Sequence, residues 1–561
     1  MKNKNKKWLC LATATTMALS LVACSSDGSG SGGSSGSTSN QATEDLINAA
    51  DKENLPVAQD EIIKIGDGTV EFSLFQSIHA VTAEEHKSQN DHPGAALWEE
   101  ATGVKVNYIN PPVGEESTNL NLMINDLKSM PDVFFIGNFD SIYPGGTMMA
   151  IEDGVILNIT ELVEMYAPNF MAMINSDENL RKDVYNDDGV LVGFGTIVVN
   201  EDRREGSMRG PIINQDYLDA AGLDIPVTIA DWDEMLRAFQ DLGVKYPFSF
   251  QTAFLKDCFS SAYGVPHWAE YYADQWDGGT VKYGPAEEGF KEYLTLMNGW
   301  YADGLIDPDC FTRKLVGDIQ TDVVNGNVGS FVDYITQFKQ LPTNAQAQGF
   351  DELNLVGAPY PVLNEGDELF LRDFEGNRTN VAAYITTNAE DPISVIQWID
   401  QLYCREGRDI NTFGEVGVTF EIEEDGTRVY TDYITNNPDG LSQTQAGRYY
   451  IFKDMFRTWE DDDHALLYTE DSQHAAWEQW DTYSADGEIP LFMTLTAEES
   501  DEYVVLKSEI DTYAEEMRQK FIMGTADIEA DWDNYIATLE GMGLARAIEI
   551  QQEAYTRYTN R

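Results

Sequence analysis

From Thr69 onward apolar and polar positions alternate, Val70, Phe72 and Leu74 against Glu71 and Ser73, and again Val104, Val106 and Tyr108 against Lys105 and Asn107. Strict alternation puts one face inward and predicts two strands. Between them His92-Pro93 opens a stretch running to Glu100 that closes at Gly103, so strand, helix and strand follow within one βαβ length. The continuous apolar run inside Asp132 to Gly137 predicts a parallel strand covered on both faces. The period then lengthens. Trp232, Met235, Leu236 and Phe239 fall at helical spacing after Thr228-Ile229-Ala230-Asp231, which reads as a capping box.

Further short strands are predicted at Val328 to Val332 and Val381 to Ile385. Asp391-Pro392 supplies an N-cap and a first-turn proline for a helix bearing Ile396, Ile399, Leu402 and Tyr403. From Thr496 to Tyr558 the pattern is helical, with a capping signal at Thr496 to Glu499 and a break around Gly541-Met542-Gly543. Strands alternating with helices make this an α/β chain. At 561 residues it is too long for a single core and should divide into two or three lobes.

The N-terminus changes the picture. Lys2, Lys4, Lys6 and Lys7 precede an uncharged apolar stretch from Trp8 to Val22, shorter than the roughly 20 residues a membrane span needs. This is a signal-peptide pattern, residues 1–23, and Leu21-Val22-Ala23-Cys24 resembles a bacterial lipobox that leaves Cys24 as the lipidated N-terminus. Residues 25–40 hold no apolar side chain and read as a flexible tether of about 22 Å reach. The reading assigns 24–65 to the anchor and linker, and places the protein on the extracellular face of the cell membrane.

Charge narrows the ligand. The formal net charge is −60, and loss of the four signal-peptide lysines takes it to −64. That excludes nucleic acid and favours neutral or weakly charged solutes. Cys258, Cys310 and Cys404 form no close pair, so neither a disulfide framework nor a zinc knuckle is indicated, and one bridge among the three stays open.

Several blocks carry a family resemblance. Asn90 to Pro93 with Trp98-Glu99-Glu100-Ala101-Thr102-Gly103-Val104 comes first, then Pro131 to Phe134, Leu157 to Leu162 and Tyr166 to Phe170. Tyr217 to Leu223 with Pro226-Val227-Thr228 and Trp232, then Gly264 to Pro266, Tyr283 to Pro285 and Gly304 to Pro308 follow. Lys520 to Ile522, Trp532, Met542 to Leu544 and Gln552 to Tyr555 complete the series. In order and spacing they resemble the family 1 extracellular solute-binding lipoproteins of Gram-positive carbohydrate ABC importers. Where many relatives have a tryptophan soon after the strand at 328–332, this chain reads Asp333-Tyr334. The resemblance implies a two-lobed, periplasmic-binding-protein-like type II fold with a hinge and a helical C-terminal extension. By analogy one lobe comprises 66–195 plus 356–410, the other 205–345 plus 411–561. It also implies a carbohydrate ligand, permease subunits as partners and no catalysis.

A sugar presents C–H ring faces and a rim of hydroxyls, so its site needs aromatic plates beside amide and carboxyl groups. In open α/β sheets these gather beyond the carboxyl ends of the strands. The first such end supplies Gln76, Ser77 and His79, the third Asn138, Phe139 and Asp140. The second lobe supplies Phe250, Gln251, Trp268, Trp276, Asp333 and Tyr334. Trp268 serves equally as lobe packing, Asn138 and Asp140 equally as a solvated turn, and Trp232, Trp398 and Trp532 read as core. His79, His86 and His92 match no metal-ligand spacing and read as a solvated loop. Asp183 to Gly189 is an acidic loop, but Val184 and Gly195 stand where an EF-hand needs ligands, so no metal is expected. No G-x-S-x-G, Walker A or H-E-x-x-H motif occurs, and no cofactor is expected. A peptide-binding or sensory lipoprotein of the same architecture, and a surface glycosidase, are the competing readings.

Overall fold

The computed structural model describes residues 38–561, apart from 66–67, 138, 192, 200–207, 253–254, 256, 269, 314–316, 351–352, 374–377, 454, 456–457 and 461–469. The signal peptide and Cys24 therefore lie outside the described residues. In chain order the strands are β1 (Glu71–Gln76), β2 (Lys105–Ile109), β3 (Val133–Gly137), β4 (Phe194–Val199), β5 (Arg209–Asn214), β6 (Tyr246–Ser249) and β7 (Tyr271–Asp274). Then come β8 (Thr280–Tyr283), β9 (Val328–Tyr334), β10 (Leu355–Gly357), β11 (Arg378–Ile385), β12 (Phe420–Ile422), β13 (Arg428–Tyr430) and β14 (Thr458–Glu460). One sheet has the order β14-β4-β11-β3-β1-β2 and a second the order β10-β5-β9-β6. Each anchors one lobe.

Alternation along the strands builds two cores on the first sheet. Phe72, Leu74, Val133, Phe135, Ala383 and Ile385 join one face with Trp98, Phe170 and Trp398. Phe75, Phe134, Ala382 and Tyr384 join the other with Phe139, Ala150 and Ile151. β3 is apolar throughout because it lies between β1, which it pairs in parallel, and β11, antiparallel, with helices over both faces. In the second lobe Ile212, Phe248 and Phe331 pack with Trp232, Met235, Leu236 and Phe239 of the helix Ile229–Asp241. That helix starts at Thr228, whose hydroxyl accepts from Asp231 N–H while Asp231 accepts from Thr228 N–H. Gly329 is required there, since a Cβ at that position would stand 2.4 Å from the Phe239 ring.

The two α/β lobes and the terminal helices follow the sequence pattern, and the boundaries differ from it. Leu355, Ala358, Tyr360, Val362, Leu369 and Leu371 pack in the second-lobe core, not with the first lobe. Phe452 and Met455 pack in the first-lobe core and β14 pairs β4, so 411–460 sits with the first lobe. The described elements thus change lobe between β4 and β5, between Asp373 and β11, and between β14 and the helix Asp471–Trp480. The reason is tertiary: β10 is short and pairs β5 at the second sheet's edge, and nothing local separates it from a first-lobe strand. The helical run from Thr496 also divides twice, at Met523 to Asp527 and at Met542-Gly543, giving helices Ala497–Ile522, Ile528–Gly541 and Leu544–Thr559.

The linker beyond residue 37 is also structured, against the sequence expectation for 38–65. Thr38–Ala49 is a helix, and Leu46, Ile47, Ile62 and Ile65 pack on the first-lobe core. Backbone N–H groups of Gln59, Ile62 and Ile63 donate to Asn169 Oδ1 (2.8 Å), Glu406 Oε2 (2.7 Å) and Gln401 Oε1 (2.8 Å). Ile65 N–H donates to Thr102 O at 2.9 Å. Four aliphatic side chains and paired backbone donors outweigh the entropy of ordering this strap.

Candidate functional site

The lobes meet where their strands end. β1, β2 and β3 run parallel, while β4 ends and β11 begins at crossings. In the second sheet β6 and β9 run parallel, and Tyr334 at the end of β9 pairs with Arg209, where β5 begins after the change of lobe. The carboxyl ends of β1, β3, β6 and β9 therefore lie on the crossing side of their sheets, the place where open α/β sheets bind ligands.

At the first-lobe rim Gln76 is buried and its carbonyl accepts from Asn110 Nδ2 at 2.9 Å. Asn110, beyond β2, also donates to Gln89 Oε1 (2.8 Å) and accepts from Ser88 Oγ and Gln89 N–H (2.9 Å each). This amide network went unread in the sequence because its members are far apart along the chain and belong to no motif. His79 is exposed and caps the helix Ala80–Glu85, its Nδ1 accepting from Val81 N–H. Phe139 is 1% exposed, stacked against Tyr143 and Tyr384, so its ring packs the lobe. Asn138 and the Asp140 side chain lie outside the described residues.

At the second-lobe rim Phe250 is wholly buried between Phe248 and Phe311, again packing. Gln251 beside it is 5% exposed, and its Oε1 finds no hydrogen-bond partner among the described residues. A buried amide oxygen without a donor is costly and marks a place for a ligand hydroxyl or a water. Trp268 is half-buried, with the Arg518 guanidinium 4.7 Å over its ring. Arg518 is fixed by Glu515 (2.7 Å) and by His267 Nε2 (3.1 Å), and His267 Nδ1 meets Tyr293 OH at 2.7 Å. One face of Trp268 is thereby occupied and its ring plane set. The Trp276 side chain lies outside the described residues.

Asp333 and Tyr334 sit side by side at the end of β9. Asp333 is 2% exposed, its Oδ1 accepts Tyr334 N–H at 2.6 Å, and burial pushes its carboxyl up to about 7 against the opposing pull of that bond and of Arg209. The rise favours the protonated carboxyl, which both donates and accepts, a property suited to a hydroxyl. The half-buried Tyr334 ring carries the Arg209 guanidinium at 5.1 Å. Gln337, three residues on, is 2% exposed with Oε1 unpartnered among the described residues. Extending the strand-end signal by one turn would have found it.

The reading of the histidines is corrected. His86 and His92 are not a solvated loop. Their rings lie 4.8 Å apart, and each Nε2 donates to a backbone carbonyl, Tyr449 O at 2.9 Å and Arg448 O at 3.1 Å. His92 also caps the helix Pro93–Thr102. They fasten the excursion at 413–451 onto the first lobe. Cys258, Cys310 and Cys404 are buried and free. In the acidic loop, both Asp187 oxygens take arginines, Arg557 at 3.0 Å and Arg561 at 2.6 Å, and Asp183 accepts from Tyr558 OH at 2.6 Å. Arg561 Nη1 donates further to the carbonyls of Lys182 (2.7 Å) and Tyr185 (2.8 Å). Oxygens so engaged do not fit a metal cation.

With this geometry the comparisons acquire meaning. Residues 89–359 match the model of the bacterial extracellular solute-binding protein family. This stretch is a bacterial extracellular solute-binding domain. Its match spans both lobes, including β2 to β10. The chain is 23% identical over 494 residues to the fructooligosaccharide ABC transporter substrate-binding protein FusA of Streptococcus pneumoniae, covering 82% of this chain and 86% of that protein. Among solved structures, the alginate-binding protein AlgQ2 without calcium ion shares the fold at a TM-score of 0.67 and 22% identity, over 88% of this chain and all of that one. An HMO-binding ABC-transporter-associated solute-binding protein from Bifidobacterium longum infantis does so at 0.70 and 15%, with 88% and 100% covered. The solute-binding domain thus sits in a two-lobed, periplasmic-binding-protein-like fold. No described helix is long and apolar enough to cross a membrane.

Proposed function

We propose that this protein captures a carbohydrate, of oligosaccharide length, outside the cell and delivers it to the permease of an ABC importer, held to the membrane through lipidated Cys24. The observation that carries the reading is the neighbouring ends of the parallel strands β6 and β9, where the buried Gln251, Asp333 and Gln337 accompany the Tyr334 ring. Trp268 and Tyr334 offer plates, while Gln251, Asp333 and Gln337 offer hydrogen bonds. The first-lobe candidates Gln76 and His79 lie at and just beyond the end of β1. The similarity to FusA, by its name a fructooligosaccharide ABC transporter substrate-binding protein, supports the same class. The lipobox-like Leu21 to Cys24 supports the anchor.

A peptide ligand would require cations for its carboxylate. Arg209 and Arg518 are already paired with Asp373 and Glu515, so they favour a neutral ligand. The match of residues 89–359 to a solute-binding family supports binding without bond cleavage.

A thermal-shift screen of the purified protein against mono- and oligosaccharides, short peptides and divalent metals tests the proposal. A ligand at 100 times its dissociation constant stabilises the fold by about 2.7 kcal/mol. Stabilisation by an oligosaccharide recovered intact supports capture. A response to peptides or metals alone, or cleavage of the sugar, refutes it.

A further inference from the structure

Residues 413–451 leave the first-lobe sheet and fold on a small core of their own around Phe413, Phe420, Tyr430 and Ile451. They lie beyond the stretch that matches the family model. The excursion closes with the helix Gln443–Tyr450, capped by Ser442, and the two ends of this helix touch different lobes. At its C-terminal end Tyr449 OH donates to Glu84 Oε2 at 3.1 Å, and the carbonyls of Arg448 and Tyr449 hold the paired histidines. Glu84 belongs to the helix Ala80–Glu85, past Gln76 at the carboxyl end of β1. At its N-terminal end Gln443 Oε1 accepts from Lys339 Nζ at 3.4 Å. Lys339 stands in the first turn of the second-lobe helix Gln337–Ala347, which follows Asp333 and Tyr334 at the end of β9. The excursion therefore reaches from the end of β1 to the end of β9.

Residues seven apart on a helix share a face, so Tyr450 lies on the side that Gln443 turns toward the second lobe, about 10 Å along the axis. Its half-buried ring packs on that of Tyr433, with centroids 4.5 Å apart and planes tilted by 35°. Gly447 falls between Gln443 and Tyr450 on the same face. Lys453 Nζ lies 3.2 Å from where a Cβ at that glycine would stand, and meets Tyr430 OH at 3.3 Å. An amide, an ammonium and a backed aromatic ring thus follow one another along this face. That is the combination a sugar's hydroxyls and C–H surface require. At the head of the helix that Gln443 reaches, the buried Gln337 Oε1 has no partner among the described residues.

We propose that this face is an outer subsite of the carbohydrate site, with Tyr450 as its stacking plate and Gln443 and Lys453 as its hydrogen-bonding groups, so that the excursion favours longer oligosaccharides over short ones. The inference rests on the carbohydrate reading above. A chain whose first units lie against Asp333, Tyr334 and Gln337 continues past Lys339 onto the excursion. Each further ring adds C–H surface for the tyrosine and hydroxyls for the amide or the ammonium. A sugar confined to the strand ends gains nothing from Tyr450.

The test measures, by calorimetry, affinities for the oligosaccharide identified in the thermal-shift screen and for its homologues down to the disaccharide. The unmodified protein is compared with Tyr450→Leu, Tyr450→Phe and Gln443→Ala, and thermal midpoints are recorded for each. Affinity of the unmodified protein should rise with sugar length. Tyr450→Leu is expected to lower the ratio of longest to shortest affinity about tenfold, the scale of one aromatic stack. Gln443→Ala should lower that ratio by a smaller factor, and Tyr450→Phe, which keeps the ring, should preserve it. An unchanged ratio in Tyr450→Leu, whatever its midpoint, leaves the tyrosines as packing and sinks the inference. Equal affinity of the unmodified protein for every length does the same. If the unmodified protein binds no carbohydrate, the functional reading fails first and takes this inference with it.

Discussion

Asp333 owes its chemistry to burial. Its carboxyl sits at about 7 in the fold against 3.8 for the free group, so between those values the folded protein holds a proton that the unfolded chain has released. Stability from this site is accordingly highest at acid pH and declines as pH rises from about 4 to 7. Asp333→Asn removes the titration, and its thermal midpoint relative to the unmodified protein should rise from pH 5 to pH 8. Parallel midpoints at the two pH values would show that the carboxyl titrates normally. Trp268 makes a separate prediction. With one face backed by Arg518, Trp268→Ala should cost about 1 to 3 kcal/mol of carbohydrate affinity, measured by calorimetry. Unchanged affinity would leave the indole as packing. Sequence reading reached these residues through their place after apolar runs, and it missed Arg209, Asn110 and Arg518 because each acts through a partner distant in the chain.

The helix Ile229–Asp241 shows how far local signals reach at the scale of an element. Its capping box and its buried stripe of Trp232, Met235, Leu236 and Phe239 follow from residue order alone. The Asp231 carboxyl lies below its ordinary range, chiefly through the Thr228 N–H bond, so its contribution is complete above about pH 4 and lost as pH falls through the lowered value. Thr228→Ala should destabilise the protein by about 1 kcal/mol in denaturant titrations, with unchanged slope. A loss indistinguishable from zero would mean that packing alone holds the helix start. The strap from Thr38 to Ile65 is the opposite case. Its docking depends on Asn169, Gln401 and Glu406, acceptors 110 residues and more away, and polar composition next to a Gly/Ser tract concealed it.

The whole molecule is held at more than its crossings. The helix Leu544–Thr559 belongs to the second lobe, yet the side chains at its end grip the first-lobe loop through Asp183 and Asp187. Arg561, 7% exposed, meets an aspartate, three carbonyls and Thr494 Oγ1 at 2.6 to 3.0 Å. Arg557 also pairs with Glu499 at 2.5 Å. Arg561→Ala leaves Asp187 to Arg557 alone and removes the donor to three carbonyls, and the expected loss is about 1 to 3 kcal/mol, read as a lower unfolding midpoint and a larger radius of gyration without ligand. With arginines on the loop oxygens, chelator should leave the unmodified protein's midpoint in place. A fall restored by calcium would refute that assignment.

The sequence by itself determined what depends on neighbours in the chain: the strand and helix periods, the caps at Thr228, Asp391 and Thr496, and the buried tryptophans. Tertiary structure alone decided which sheet the short β10 and β14 join, why the histidines are fasteners, and how Arg209 meets Asp373 across 164 residues. The division has a physical cause. Backbone conformation and amphipathicity are set within a few residues, whereas edge-strand pairing, buried ion pairs and hinge geometry arise only when distant segments compete for the same partners.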